Sequence, residues 1–380
     1  MTENETRQTA TSRTPPNDPP VQAAGEKPQP TGEKPQAAGE RPRAAEEKPA
    51  AAGEKPATIG EKPQAADEKP SAAGEKPAMI GEKAAAAEAK KPGRARKPRS
   101  GKKSKSATGT REWSDHSVNC QDGCEHACIY CYARANALRF GKIASGAAWA
   151  RPVIDAYAVR KDHGRLDGIV MFPTRHDITP GNLDACLAVL CRLAAAGNRI
   201  LIVSKPHFAC VREMTLRLAE WRKQLLFRFS IGCLDDERRR FWEPGAPPIP
   251  ERIAALQEAR LAGYATSVSC EPLLEPWNIA DLLNAVAPYV TDSIWIGKLN
   301  MLRHRTAWLG MSPGGADRQM IVELEACQTA ERIREVADLA IEWGLAYHNA
   351  HPEWPAAIRW KESYKKALGL PLASEPGLDV

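Results

Sequence analysis

The chain has no apolar run approaching the ~18–20 residues that a membrane-crossing helix needs, and its polar N-terminus lacks the apolar stretch of a secretory signal. No membrane partner and a cytoplasmic location are therefore the expectation. Aromatic and large apolar side chains are nearly missing up to about Gly109. That stretch cannot bury enough surface to offset the entropy of ordering itself. No Gly-x-Gly-x-x-Gly turn follows the first strand candidate, which argues against a doubly wound dinucleotide-binding sheet. The ten cysteines do not form a disulfide framework: Cys186, Cys191, Cys210, Cys233, Cys270 and Cys327 stand singly in apolar or helical contexts. A free thiol there behaves as a small hydrophobe, as expected in a reducing compartment.

What the N-terminal stretch does contain is a repeat. Proline recurs every seventh residue from Pro28 to Pro77, each inside a unit close to AAGEKPQ. A period of seven suggests a coiled coil, but each unit carries a proline, most carry a glycine, and no apolar seam runs through them. An extended, near-neutral, disordered spacer is expected. The charge then changes: from Lys90 to Lys105 there are nine Lys or Arg and no acid, so in a chain of net charge +6 everything else carries −3. A flexible cationic tract of this kind attracts nucleic-acid phosphates through counterion release, and a nucleic acid is the expected partner of the tail.

From Trp113 onward apolar and aromatic residues reach globular frequency, enough for a single core of about 265 residues. The expected organisation is a disordered tail over 1–110, one folded domain over 111–365 and a short C-terminal tail over 366–380. Short apolar runs predict strands at GIVMF from Gly168, RILIVS from Arg199, LLFRFSI from Leu225, ATSVSC from Ala265 and SIWIG from Ser293, with a further short strand ahead of the clustered cysteines. Helical periodicity is expected over 132–140, 183–196, 211–222, 251–262, 279–287 and 330–343. Continuous apolar strands alternating with helices imply an α/β fold with a parallel sheet and right-handed crossovers. Five or six such units suit a closed or partial TIM-type barrel.

Four of the ten cysteines fall within NCQDGCEHACIYCYAR, spaced Cys120-x3-Cys124-x3-Cys128-x2-Cys131. Thiolates bind zinc and iron–sulfur clusters alike. Structural zinc usually takes two close pairs separated by a longer loop, and no second distant pair exists. A dithiol couple would use Cys128 and Cys131 at a helix start but leaves Cys124 unexplained. Cys124, Cys128 and Cys131 on one loop before a helix can instead grip three irons of a [4Fe–4S] cube and leave the fourth open to a small molecule. Cys120 then either completes a four-cysteine zinc site or is a buried thiol beside the preceding strand.

The Cys-x3-Cys-x2-Cys spacing, with Tyr130 before the last cysteine, resembles the radical S-adenosylmethionine (SAM) superfamily. GCEHACIYCYAR and the later stretch with Asp235-Asp236, Glu243-Pro244-Gly245-Ala246-Pro247 and Glu251-Arg252 resemble its spore photoproduct lyase-like branch. The resemblance covers roughly residues 120–276. It implies a partial (β/α)6-type barrel, a [4Fe–4S] cluster on Cys124, Cys128 and Cys131, and SAM as cofactor, with an electron donor such as flavodoxin or ferredoxin. The resemblance implies that Lys205, in IVSKP at a strand end, pairs with the SAM carboxylate, that Ser230 lies near the same group, and that Tyr130 packs beside the cofactor. Tyr130 and Tyr132 are the nearest candidates for returning a hydrogen atom to a product radical. Arg175, His176 and Asp177 cluster at a strand end suited to substrate contacts, although Asp177 can equally cap the next helix. The branch's cysteine hydrogen donor has no match, since Thr174 stands where it is sought, and a threonine O–H bond is too strong to replace a thiol. Glu271, Lys298 and Asn300 offer further strand-end polar groups. Three functions follow: a radical SAM enzyme acting on a nucleic acid, the same chemistry on a peptide or small metabolite, or a non-catalytic zinc or iron–sulfur nucleic-acid-binding protein.

Overall fold

A computed structural model describes residues 107–307 and 315–373. The heptad repeats and the basic tract 90–105 lie outside the described residues, as does the 374–380 part of the expected C-terminal tail. The strands in chain order are β1 (His116–Ser117), β2 (Gln121–Asp122), β3 (Val153–Ile154), β4 (Ile169–Phe172), β5 (Arg199–Ser204), β6 (Leu225–Ser230), β7 (Ala265–Cys270), β8 (Ser293–Ile296) and β9 (Ala357–Trp360). The helices are α1 (Tyr132–Arg139), α2 (Ala156–Arg160), α3 (Leu183–Ala195), α4 (Phe208–Arg217), α5 (Asp236–Trp242), α6 (Ile249–Leu261), α7 (Ile279–Val286), α8 (Leu302–Thr306), α9 (Ala316–Ala326), α10 (Ala330–Ala350) and α11 (Glu362–Leu368). Seven strands form one sheet in the order β1-β4-β5-β6-β7-β8-β9, and every pairing in it is parallel. β2 and β3 form a separate antiparallel ribbon beside the cysteine loop. The fold is α/β, as the alternation of apolar runs and helices implied.

These runs are continuous because both faces of each strand are covered. On β4, Ile169 and Met171 join an interior cluster with Trp113, Leu201 and Trp295, whereas Val170 and Phe172 pack against the helices. The same alternation on β6 sends Phe227 and Phe229 outward and the fully buried Arg228 inward. Its guanidinium lies 4.8 Å from the Trp113 ring centre and 5.1 Å from that of Trp295, and its Nε donates to Ser267 Oγ at 2.9 Å. An inward cation is tolerated here because aromatic faces, a hydroxyl and the Asp292 carboxylate, 3.5 Å from its Nη2, replace its hydration.

The first and last strands of the sheet, β1 and β9, do not pair. Side chains join these two ends instead: Lys361 Nζ lies 3.1 Å from Glu112 Oε1 and donates to Gly109 O at 2.9 Å, while the Glu362 N–H donates to Glu112 Oε2 at 3.0 Å. A parallel sheet curved in this way, joined across its ends by an ion pair rather than by a ladder, is a partial barrel.

The structure departs from the sequence expectation in several elements: α2, α5, α8, α9 and α11 were not expected and α10 runs on to Ala350, and two further departures have a readable cause. The helix expected over 211–222 is α4, ending at Arg217, followed by a tighter 3-10 turn, Ala219–Gln224. Leu218 leaves the helix to bury its side chain fully, and the turn delivers Leu225 into β6. β9 was not foreseen: its residues alternate exposed and half-buried, so it carries no apolar run, and pairing with β8 alone defines it. Among the described residues no helix is long and apolar enough to cross a membrane.

Candidate active site

A cavity of about 600 Å³ opens at the C-terminal ends of the parallel strands, where a barrel of this kind presents its functional side chains. Cys124, Cys128 and Cys131 line it, together with Tyr130, Tyr132, Arg175, His176, Asp177, Lys205 and Ser230. Sites far apart in the sequence thus share one wall. Cys120 is not among the lining residues; its thiol lies 3.8 Å from Cys186 Sγ in the core beneath the helices.

The cysteine loop is held from both sides. The Cys124 N–H donates to Trp149 O at 2.9 Å and that of Ile129 to Trp242 O at 2.8 Å. A Cβ on Gly123 would come within 2.8 Å of Trp149 O and Pro152 Cα, and Gly123 has φ +90°, so only glycine fits this approach. Ala127 adopts φ +49° inside the loop, and Arg134 from α1 reaches back to donate to Ala127 O at 3.0 Å and to Cys128 O. Cys131 is the N-cap residue immediately before α1. Burial, assisted by the Asp177 charge, pushes the Cys124 thiol up to about 12, and burial pushes Cys128 well above its ordinary value. Such thiols are neutral and inert until a cation displaces their protons.

Beneath the loop lies a charged knot. Asp177 Oδ2 accepts from His126 Nδ1 at 2.8 Å and lies 3.5 Å from Lys205 Nζ, and Oδ1 accepts from the Lys205 N–H at 2.8 Å. Burial alone would raise the Asp177 carboxyl, but Lys205 and His126 overcome it and hold it well below the usual carboxylate range. Burial alone would likewise lower Lys205, and the Asp177 carboxylate outweighs it, so the ammonium stays charged. Cys124 Sγ lies 3.9 Å from Asp177 Oδ2, and one ligand atom each from Cys124, His126 and Asp177 falls within 4.8 Å of the others.

A second knot secures Tyr130. Its buried phenol donates to Glu243 Oε1, and Glu243 Oε2 lies 2.6 Å from Arg252 Nη1. Burial would raise Glu243, yet Arg252 and Lys205 hold it below its ordinary value. Gly245 lies so near the cysteine loop that a Cβ there would be 2.3 Å from Glu125 O. The Glu-Pro-Gly-Ala-Pro stretch and the cysteine loop are therefore one packed unit.

The remaining candidates divide by their hydrogen bonds. His176 accepts at Nε2 from the Cys120 N–H at 3.3 Å and its Nδ1 lies 3.0 Å from Asp177 O, so both ring nitrogens serve the scaffold. Arg175 pairs with Asp122 at 3.1 Å, both half-exposed or more. Tyr132, in contrast, stands at the cavity wall and donates to Thr174 O, and the Thr174 hydroxyl accepts from Asn119 Nδ2 at 2.8 Å. Glu271, Lys298 and Asn300 also line the cavity. Sequence reasoning did not single out Arg305, Lys361 or Trp149, which line it too. Arg305 and Lys361 sit among ordinary surface-like charges in the sequence. Trp149 had a usable signal, as a lone large aromatic in the glycine- and alanine-rich turn Gly146–Ala150; it is buried and its indole N–H has no hydrogen-bond partner among the described residues.

No family model matches the chain. It is similar to the uncharacterized protein ORF301 of Acidianus two-tailed virus, 28% identical over 178 residues, which covers 44% of this chain and 58% of the viral protein. The chain thus spans a little over half the length of that relative. Among solved structures it is similar to spore photoproduct lyase, in a cysteine-to-alanine variant with dinucleoside spore photoproduct and in a tyrosine-to-phenylalanine variant. Each has a TM-score of 0.43, 14% identity, and coverage of 65% of this chain and 77% of that one.

Proposed function

We propose that the chain is a radical SAM enzyme of the spore photoproduct lyase-like kind, with Cys124, Cys128 and Cys131 holding a [4Fe–4S] cluster at the cavity wall. The observation that carries the reading is that these three thiols, and not Cys120, line one cavity. The donor set fits the group: three soft ligands on one short loop, two of them protonated until a metal binds, and an orphaned indole N–H on Trp149 beside them. Such a cluster with SAM supplies a one-electron reductive cleavage that generates a carbon radical able to abstract a substrate hydrogen.

The chain's own residues then have definite tasks. Lys205, kept charged by Asp177, offers an ammonium to a ligand carboxylate, and the Ser230 hydroxyl supports the same group. Tyr130, tied to Glu243, packs beside the ligand rather than moving a hydrogen. Tyr132 and Thr174 face the space where a substrate would lie. Thr174 leaves that wall without a thiol donor, so repair that depends on a cysteine at this place is not the reaction proposed. The substrate is a nucleic acid, a reading supported by the basic tract from Lys90 to Lys105 and by Lys298 and Arg305 in the cavity.

The test is anaerobic reconstitution. Brown protein with about four irons and four sulfides that releases 5′-deoxyadenosine from SAM after dithionite reduction supports the reading. Deleting residues 1–106 should flatten the salt dependence of DNA and RNA binding, and unchanged binding would remove the tethering role. The grouping of Cys124, His126 and Asp177 favours a second reading, a structural zinc site in a non-catalytic protein; colourless protein with one zinc per chain would establish it instead.

A further inference from the structure

We infer that Trp149 tunes the cluster: its indole N–H donates to a thiolate sulfur, that of Cys124 or Cys131, and raises the potential at which the cluster takes up an electron. The inference rests on the cluster reading above and adds a residue to it. Trp149 is 4% exposed, yet its Nε1 has no hydrogen-bond partner among the described residues. A buried donor without an acceptor forfeits the hydrogen bond it made to water, and folded interiors hold few such groups.

The backbone holds this side chain against the cysteine loop. Its turn, Gly146–Ala150, closes on itself where the Ala148 N–H donates to Ser145 O at 3.1 Å, and the Cys124 N–H ties the loop to Trp149 O at 2.9 Å. The side chain packs in a small cluster with Cys124, Ala133 and Ala137, against which Cys131 and Ile143 lie. Of these side chains only the two cysteines carry an atom that can accept a hydrogen bond. A thiol sulfur accepts weakly and leaves the indole N–H without a partner, whereas a thiolate on iron carries negative charge and accepts well. Cys124 Sγ also lies 3.9 Å from Asp177 Oδ2. As a thiolate it faces a like charge there, which a donor from Trp149 offsets.

The other buried indole N–H groups without a partner lack this setting. Trp113 lines the cavity, but its cluster with Ile169, Met171, Leu201 and Trp295 holds no cysteine. Trp242 belongs to the main core and is not among the cavity's lining residues. Trp149 lines the cavity together with Cys124, Cys128 and Cys131.

The effect has a definite sign. Reduction adds one electron to a [4Fe–4S]2+ cluster and gives [4Fe–4S]+, with no atom transferred. A donor at a sulfur favours the more negative of the two states, and hydrogen bonds to sulfur are among the features that set such potentials. Losing the N–H therefore lowers the potential.

The test is a redox titration of the full-length reconstituted protein with dithionite, without SAM, following the paramagnetic signal of [4Fe–4S]+. Trp149→3-benzothienylalanine keeps the shape of the indole and puts sulfur in place of the N–H. At a fixed potential it should lower the ratio of reduced to oxidised cluster about tenfold, a fall of about 59 mV in the midpoint of a one-electron couple. Trp149→Phe should move the midpoint the same way. Metal-free protein with benzothienylalanine at this position should unfold at no lower urea midpoint than the parent, since its N–H has no acceptor to lose. Equal potentials in the parent and the benzothienylalanine variant overturn the assignment, as does an equal fall on Trp113→3-benzothienylalanine, or a metal-free variant less stable than the parent. Parent protein that holds one zinc and no iron removes the cluster reading itself, an outcome that metal analysis distinguishes before any titration.

Discussion

Replacing Asp177 with asparagine should destabilise the metal-free protein by about 3 kcal/mol, at the lower end of the roughly 3–5 kcal/mol that follows when one partner of a buried ion pair is removed. The side chains of Asp177 and Lys205 are only 14% and 11% exposed, so solvent screens little of the loss. Asparagine preserves the shape and one acceptor toward the Lys205 N–H. It leaves the Lys205 ammonium buried without a counter-charge, and it weakens the charge-assisted bond from His126 Nδ1. Urea unfolding of the apo-protein reads this as a lower midpoint at constant slope. Lys205→Met made on the D177N background should recover much of the loss, because the unpaired charge has gone. The double-mutant cycle should then show a coupling of about 1 kcal/mol or more. The pH dependence has a definite sign. The Asp177 carboxyl lies below its ordinary value in the folded state, so its contribution is complete above the usual carboxylate range and is lost as pH falls through and beneath it. D177N should accordingly shallow the acid limb of the stability profile. A cost below about 1 kcal/mol, or strictly additive mutants, would refute the knot as a stabilising unit.

Three further outcomes can be checked directly. Alanine at Cys124, Cys128 or Cys131 should abolish iron retention after reconstitution, whereas C120A should keep it, because the Cys120 thiol faces Cys186; iron and sulfide assays decide. Gly245→Ala places a Cβ 2.3 Å from Glu125 O, so the two loops must separate. A loss of about 1–3 kcal/mol in thermal stability with reduced iron uptake is expected. Arg252→Met strands the Glu243 carboxylate, whose side chain is 3% exposed, and should cost about 3–5 kcal/mol in urea unfolding, with E243M/R252M substantially restored.

Much of the fold was legible because its strands are buried on both faces. RILIVS and LLFRFS announce themselves as β5 and β6 since each needs apolar residues inward and outward. α5 was less legible: DERRRFW carries charge enough to look solvated, yet Arg238 and Arg239 are buried, Arg239 bonding Asp236 and the Glu243 and Ala246 carbonyls. Asp235 starts this helix by accepting from the Glu237 N–H at 2.8 Å, a local signal whose meaning depends on where the chain then goes.

The cysteine spacing is a local property, and three thiols on one short loop before a helix were fixed as a chemical possibility by residues 124–131 alone. Which other groups face them was not. Tyr130 meets Glu243 across 113 residues, and His126 meets His207 across 81. Periodicity and spacing are written within a few turns of chain, where backbone geometry dictates which side chains share a face. Contacts between distant segments depend on how whole layers pack, and that packing is what separated Cys120 from its neighbours, turned His176 into scaffold, and set Lys205 charged at the cavity wall.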